Sequence, residues 1–248
     1  MGMNSEHNRG NGTGNGESKH HSVLDTLGLE ITSGVLEEGR VLTLDTIQER
    51  FDVSRTVARE TMRLLESKGL VVSRRRVGIT VRPTASWQVY DPRVIWWRLA
   101  GPGRDSQLRS LTELRIAVEP LAAAAAARHA GAAERARLVE LATAMRPLGE
   151  AGRLDPFNDL DVELHSLVLR ASGNEMFAAL TDVVAAVLRG RTQLGLMPDR
   201  PVPEALDLHE AVALAVADAR HQDAEEAMRL LLSEVRDAMV PLGAPGGR

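Results

Sequence analysis

The 248-residue chain has no cysteine, which excludes disulfides and thiol chemistry and is compatible with a cytoplasmic home. No apolar run approaches the ~18 residues of a membrane span, and the start of the chain lacks a hydrophobic signal core, so a soluble cytoplasmic protein is expected. From residue 104 onward there is no alternating strand pattern, no internal repeat and no nucleotide-binding glycine loop. The early glycines of GNGTGNG follow no strand and precede no Lys-Ser or Lys-Thr, which excludes a phosphate loop. Residues 1–19, rich in Gly, Asn and Ser, have little to bury and read as a disordered tail, as do residues 242–248.

What is present divides by charge. The whole chain is 44% hydrophobic with a net charge of −4. Residues 50–82 carry nine Arg or Lys against three Asp or Glu, a net of 9 − 3 = +6. Residues 83–248 carry 18 against 23, a net of 18 − 23 = −5. A small basic module is thus joined to a larger acidic one, a distribution suited to holding phosphates at one end only.

The basic module centres on residues 51–70, FDVSRTVARETMRLLESKGL. Asp52 and Val53 read as a turn, Ser54 as the N-cap of a helix, and Gly69 as its stop. Val57, Ala58, Thr61, Leu64 and Leu65 share one arc, while Arg55, Arg59 and Arg63 share another. Such a basic face is often only a solvated surface, but its setting raises it. A short helix over 44–51, capped by Thr43, precedes it, and a hairpin follows: a strand over 70–72, a turn over 74–78 carrying Arg74, Arg75 and Arg76, and a return over 79–81. A first helix over 22–35, with Val23, Leu24, Leu27, Ile31 and Val35 at helical spacing, completes a winged helix-turn-helix over 20–83. Residues 84–103, with Trp87, Tyr90, Trp96 and Trp97, read as a linker and a short helix, their aromatics being apolar packing rather than base-stacking platforms.

Beyond residue 104 the periodicity predicts helices over 104–129, 132–149, 156–171, 174–193, 203–219 and 223–240, with a kink at Pro120, and hence an antiparallel all-helical bundle over 104–241. Its polar residues stand out. Asp161 and His165 lie four apart on one helix face, His209 sits in a later apolar run, and Arg115 lies among Leu111, Leu114 and Val118. Carboxylate and imidazole suit Zn, Ni or Mn, although a buried histidine is more often a hydrogen-bonded core residue. Arg115 is either the partner of an anionic ligand or permanently paired with Glu119 or Glu113. A metal-dependent hydrolase using Asp161, His165 and His209 is one alternative, without an evident nucleophile or general-base motif. A non-specific nucleoid-binding protein is another.

Residues 22–82 resemble the DNA-binding domain of the GntR family of bacterial transcription regulators. The segment FDVSRTVARETMRLLESKGLV is similar to the family pattern VSRTPVREALRxLEAEGLV, and Val77-Gly78 with Val81 resembles its wing. The resemblance implies DNA contacts from Arg55, Thr56 and Arg59, extended on basic character to Arg63 and Arg74 to Arg76, with Gly78 letting the wing backbone approach the minor groove. It departs at Val41-Leu42-Thr43-Leu44-Asp45, where the family commonly has Leu-Pro-Ser-Glu-Arg, so Asp45 replaces a DNA-contacting arginine.

Residues 111–240 resemble the effector domain, FCD, of the FadR-type branch. The matches are Glu113-Leu114-Arg115, Val118-Glu119-Pro120, Asp161-x-x-x-His165, Ala171-Ser172-Gly173-Asn174 and His209. Many relatives hold a divalent ion on one Asp and three His and use it to bind a carboxylate effector. Here Asp161, His165 and His209 match, while the third histidine falls at Leu231, leaving His221 and Glu234 as candidates to fill in. The Asp-Pro-x-Val-Ile-x-Trp segment resembles members responding to gluconate or galactonate. The resemblance implies a homodimeric, non-enzymatic repressor that reads an inverted repeat in duplex DNA and is released by a sugar acid.

Overall fold

The computed structural model describes the backbone of residues 13–238 and the side chains of residues 23–233. The chain forms two compact units, one ending at Gly101 and the other beginning at Pro102.

The first unit opens with α1 (Thr13–Thr32), followed by β1 (Val41–Leu42), α2 (Leu44–Phe51), α3 (Arg55–Ser67), β2 (Val71–Arg74), β3 (Gly78–Val81) and α4 (Pro92–Ala100). Capping fixes where the helices start. Thr43 accepts from the Thr46 amide at 3.1 Å and donates its own amide to Thr46 Oγ1 at 3.2 Å, closing a capping box on α2. Ser54 accepts from the Val57 amide at 3.3 Å and caps α3. Leu24, Leu27 and Ile31 of α1 meet Ile47 of α2, Ala58, Met62 and Leu65 of α3, and Val71, Ile79 and Val81 of the sheet in one core. The sheet is antiparallel with order β1-β3-β2, its wing hairpin in register Val71↔Val81 to Arg74↔Gly78.

Three features of this unit go beyond the sequence reading. The tail expected over 1–19 is helical from Thr13, because α1 extends outward from its packed Val23–Ile31 segment, where the cost of nucleation is met; residues 1–12 and 242–248 lie outside the described residues. The sheet gains β1, which pairs Val41↔Thr80 and Leu42↔Ile79. Residues 84–100 carry the expected short helix, and it packs into this unit. Asp91 caps α4, accepting from the Arg93 and Val94 amides at 2.9 and 3.2 Å, and its other oxygen takes Lys68 Nζ at 2.6 Å. Trp97 is fully buried, donates to Asp25 at 3.0 Å, and lies against Gly28, where a Cβ would stand 2.4 Å from the indole. Burying roughly 200 Å² of indole stabilises by about 5 kcal/mol as an upper bound, so α4 belongs to the first unit's core.

The second unit is the expected helical bundle: α5 (Arg104–His129), α6 (Ala132–Glu150), α7 (Leu154–Ala171), α8 (Glu175–Ala178), α9 (Thr181–Gln193), α10 (Pro203–Ala217) and α11 (His221–Ala238). The single helix expected over 174–193 is broken between α8 and α9, where Ala178 and Ala179 bond back to Asn174 and Glu175 and the Leu180 amide tightens to Phe177. α5 runs continuously through Pro120. Its small, buried Ala122, Ala123, Ala126 and Ala127 let α11, α7 and α10 approach closely. Leu231, at the position of the missing histidine, is buried in this core.

Candidate functional site

The first unit presents its charge to water. Arg55, Thr56, Arg59 and Arg63 of α3 are exposed, as are Arg74, Arg75 and Arg76 at the hairpin tip. Arg76 has φ 66° and Gly78 φ 112°, and the Gly78 Cα lies so close to β1 that a Cβ would meet the Leu42 carbonyl at 3.0 Å. α2, α3 and the wing enclose a cleft of about 460 Å³ lined by Thr43, Asp45, Arg55, Arg59, Arg63 and Ser73. Among the described residues Arg59 and Arg74 to Arg76 form no ion pair, leaving their guanidiniums available to phosphate or base edges. Arg63 pairs loosely with Glu60 at 3.5 Å. Two of the nine basic residues are structural: Arg50 bonds Glu30 and covers the Phe51 ring at 4.7 Å, and Lys68 holds Asp91.

Two details of this face escaped the sequence. Asp45, expected only to repel phosphate, accepts from Arg55 at 3.0 Å and from Gln48 at 3.2 Å, so it orients the first recognition-helix arginine. Glu66 on α3 accepts the Ser73 amide of β2 at 2.9 Å, joining recognition helix to wing.

The second unit hides its charge. Arg115 and Glu119 on α5, Asp161 and His165 on α7, Arg191 on α9 and His209 on α10 are all buried. Asp161, His165 and His209 converge as expected, their ligand atoms within 4.8 Å of one another. His209 Nε2 lies 2.9 Å and His165 Nε2 3.3 Å from Asp161 Oδ1. Each ring's other nitrogen also faces oxygen: His165 Nδ1 meets Glu119, and His209 Nδ1 meets the Ala205 carbonyl at 2.6 Å.

Four acceptor contacts on two imidazoles require four N–H groups, or two N–H groups and one shared cation. With Nδ1–H held by Glu119 and Ala205, both Nε2 lone pairs and Asp161 Oδ1 point to one place, the outer-sphere arrangement that orients metal-binding histidines. The residues present therefore fit a divalent ion with three protein ligands. His221 is exposed, and the Glu234 side chain lies outside the described residues.

Without an ion, protons carry the charge. Burial pushes His165 down, but Glu119 and Asp161 outweigh it and hold the imidazole at about 9. Burial pushes Glu119 up, but Arg115 and then His165 hold it at about 2; burial acts on Asp161 in the same sense, and the imidazoles hold it well below the carboxylate range. Arg115 is taken up by Glu119, through Nε to Oε1 and a 3.5 Å contact to Oε2, and lies 3.4 Å from His165. Arg191 was not anticipated, although its helical spacing from the buried Val184 and Leu188 is a signal that places it on the inward face of α9.

An exposed arginine ridge with a wing, on a chain that also carries a helical bundle with a buried ligand-type cluster, defines a DNA-binding regulator with an effector domain. The gntR family of bacterial regulatory proteins matches residues 20–81 and the FCD domain matches residues 110–234, and the chain belongs to the GntR family. It is 27% identical over 220 residues to the galactonate operon transcriptional repressor of Escherichia coli, spanning 88% of this chain and 94% of that protein. It is 28% identical over 211 residues to the uncharacterized HTH-type transcriptional regulator YieP of the same organism, spanning 85% and 90%. The fold is shared with Lar, which controls expression of the Listeria monocytogenes agr system, at TM-score 0.57 and 14% identity, covering 95% of this chain and all of that one. Among the described residues no helix is long and apolar enough to cross a membrane.

Proposed function

We propose that this GntR regulator is a cytoplasmic homodimeric repressor that reads an inverted repeat and releases it on binding a sugar acid such as galactonate or gluconate. The observation that carries the reading is one chain holding both an exposed arginine ridge and a buried carboxylate-imidazole-guanidinium cluster. Arg55 and Arg59 enter the major groove, with Thr56 and Arg63 beside them, and Arg74 to Arg76 follow the backbone from the wing. Recognition by paired helices depends on their spacing. An effector that binds one dimer geometry better than the other shifts the population away from the spacing the operator needs, by no more than its differential affinity.

Asp161, His165 and His209 would hold a Zn, Ni or Mn ion, which supplies a Lewis-acid contact for carboxylate or hydroxyl oxygens when bound. The similarity to a galactonate operon repressor supports a sugar-acid effector, at 27% identity. Footprinting DNA upstream of the protein's own gene, with and without galactonate and gluconate, tests the reading. A protected inverted repeat that one of these acids exposes is expected, and protection of no site, or of a site indifferent to both acids, rejects it. Metal analysis of protein purified without an affinity tag tests the ion: a stoichiometric divalent metal is expected, and its absence makes the three residues polar core or direct effector contacts.

A further inference from the structure

We infer that Arg191, not Arg115, is the anchor for the carboxylate of a small anionic ligand in the second unit, an assignment that rests on the effector-domain reading above. Arg191 is one turn beyond Leu188 on the face of α9 that packs into the bundle, and it is 5% exposed. Among the described residues its side chain makes no hydrogen bond and no ion pair, and its buried Nε has no acceptor.

The other buried charges are already spoken for. Glu119 is divided between Arg115 and His165, and Asp161 between His165 and His209. Burial disfavours the charge of Arg191 most, Arg115 adds repulsion, and Asp161 attracts it without reaching ion-pair contact. An unpaired guanidinium away from water is among the costliest groups a fold can keep. The cost is removed by one carboxylate, whose two oxygens match the guanidinium fork and which the neighbouring Arg115 also attracts. Nine residues, Leu194 to Val202, connect the helix of Arg191 to the helix of His209, so one loop lies between the guanidinium and the imidazole.

The ligand class is thus a small monocarboxylate with polar groups near its acid end, for which acetate is the minimal probe. The full-length protein, as purified and after dialysis against a chelator, is titrated with acetate and with its neutral isostere acetamide in a low-chloride zwitterionic buffer. Thermal midpoints and the Arg Nε NMR resonances are read. Acetate should raise the wild-type midpoint in both preparations and move one buried Arg Nε signal, and acetamide should do neither.

Arg191→Met should melt higher than wild type without acetate, because it removes the unpaired charge. Arg191→Met and Arg191→Gln should each need more than about tenfold more acetate for any shift, as expected when the ligand's ion pair is gone. If both variants melt below wild type at every acetate concentration, Arg191 has a permanent structural partner and the inference is overturned. An equal response to acetamide overturns it as well. Should the acetate response follow Arg191 while wild-type operator binding ignores acetate, galactonate and gluconate, the anion site stands and the effector reading falls.

Discussion

The same residue type does opposite work in the two units. In the first, Arg59 and Arg74 to Arg76 stand in water with no ion-pair partner among the described residues, where a charge costs little and salt screens it. In the second, Arg115 and Arg191 are out of water, where each must be matched or must wait for a match. An exposed charge can exchange partners along a duplex, whereas a buried one answers to a single matched group. The two units differ in the depth at which charge is placed.

Removing one buried partner should break the second unit hardest. Glu119→Ala strands Arg115 and His165 together, and the expected loss is about 3–5 kcal/mol in urea unfolding; a loss too small to resolve would mean the pair is solvated. Next comes the exposed ridge. Arg59→Ala should weaken operator binding by about 1–3 kcal/mol with the far-ultraviolet circular dichroism unchanged. Replacing Arg74, Arg75 and Arg76 together should lower the salt dependence of binding, by ~0.9 in the log–log slope for each phosphate no longer neutralised. An unaltered slope would take the wing off the backbone.

Within the second unit, pH acts on the two partners in opposite senses. His165, held at about 9 against an ordinary 6.5, stabilises fully below 6.5, and that contribution is lost as pH rises through about 9. Glu119, held at about 2 against 4.5, stabilises fully above 4.5 and loses its contribution as pH falls through about 2. Chelator-treated protein should hold a stability plateau between about pH 4.5 and 6.5 and decline toward pH 9, and a urea midpoint that rises over that alkaline range contradicts the assignment. The smallest effect belongs to the exposed Arg137–Glu163 pair, at 2.8 Å: Arg137→Ala should leave the urea midpoint unchanged, because both groups keep their water.

Much of this was legible before any coordinates, where local chemistry decides the outcome. Thr43 and Ser54 announce their helices because a hydroxyl satisfies an amide a few residues away. Asp161 and His165 share a face by helical geometry alone, and Glu119 follows from Arg115 by the same four-residue step. What stayed hidden depends on distant packing. Val41 and Leu42 are too few to show alternation, and they become a strand only because β3 offers free ladder groups. Trp97 reads as apolar packing, but that Gly28, far away in sequence, leaves room for its ring does not show in the residues. Arg191 shares helical spacing with Val184 and Leu188, but that spacing does not say that an arginine there goes without a hydrogen-bond partner. Asp45 was visible as a departure from the family pattern, but its hold on Arg55 was not.

The bond between Glu66 and the Ser73 amide couples the two halves of the DNA-reading face. With helix and hairpin clasped at one point, the unit behaves as a fixed caliper whose jaws share a hinge pin. An operator must then suit both jaws at once, so base changes under the hairpin should alter tolerance for changes under the helix, and the two halves of a site would be selected jointly rather than one by one.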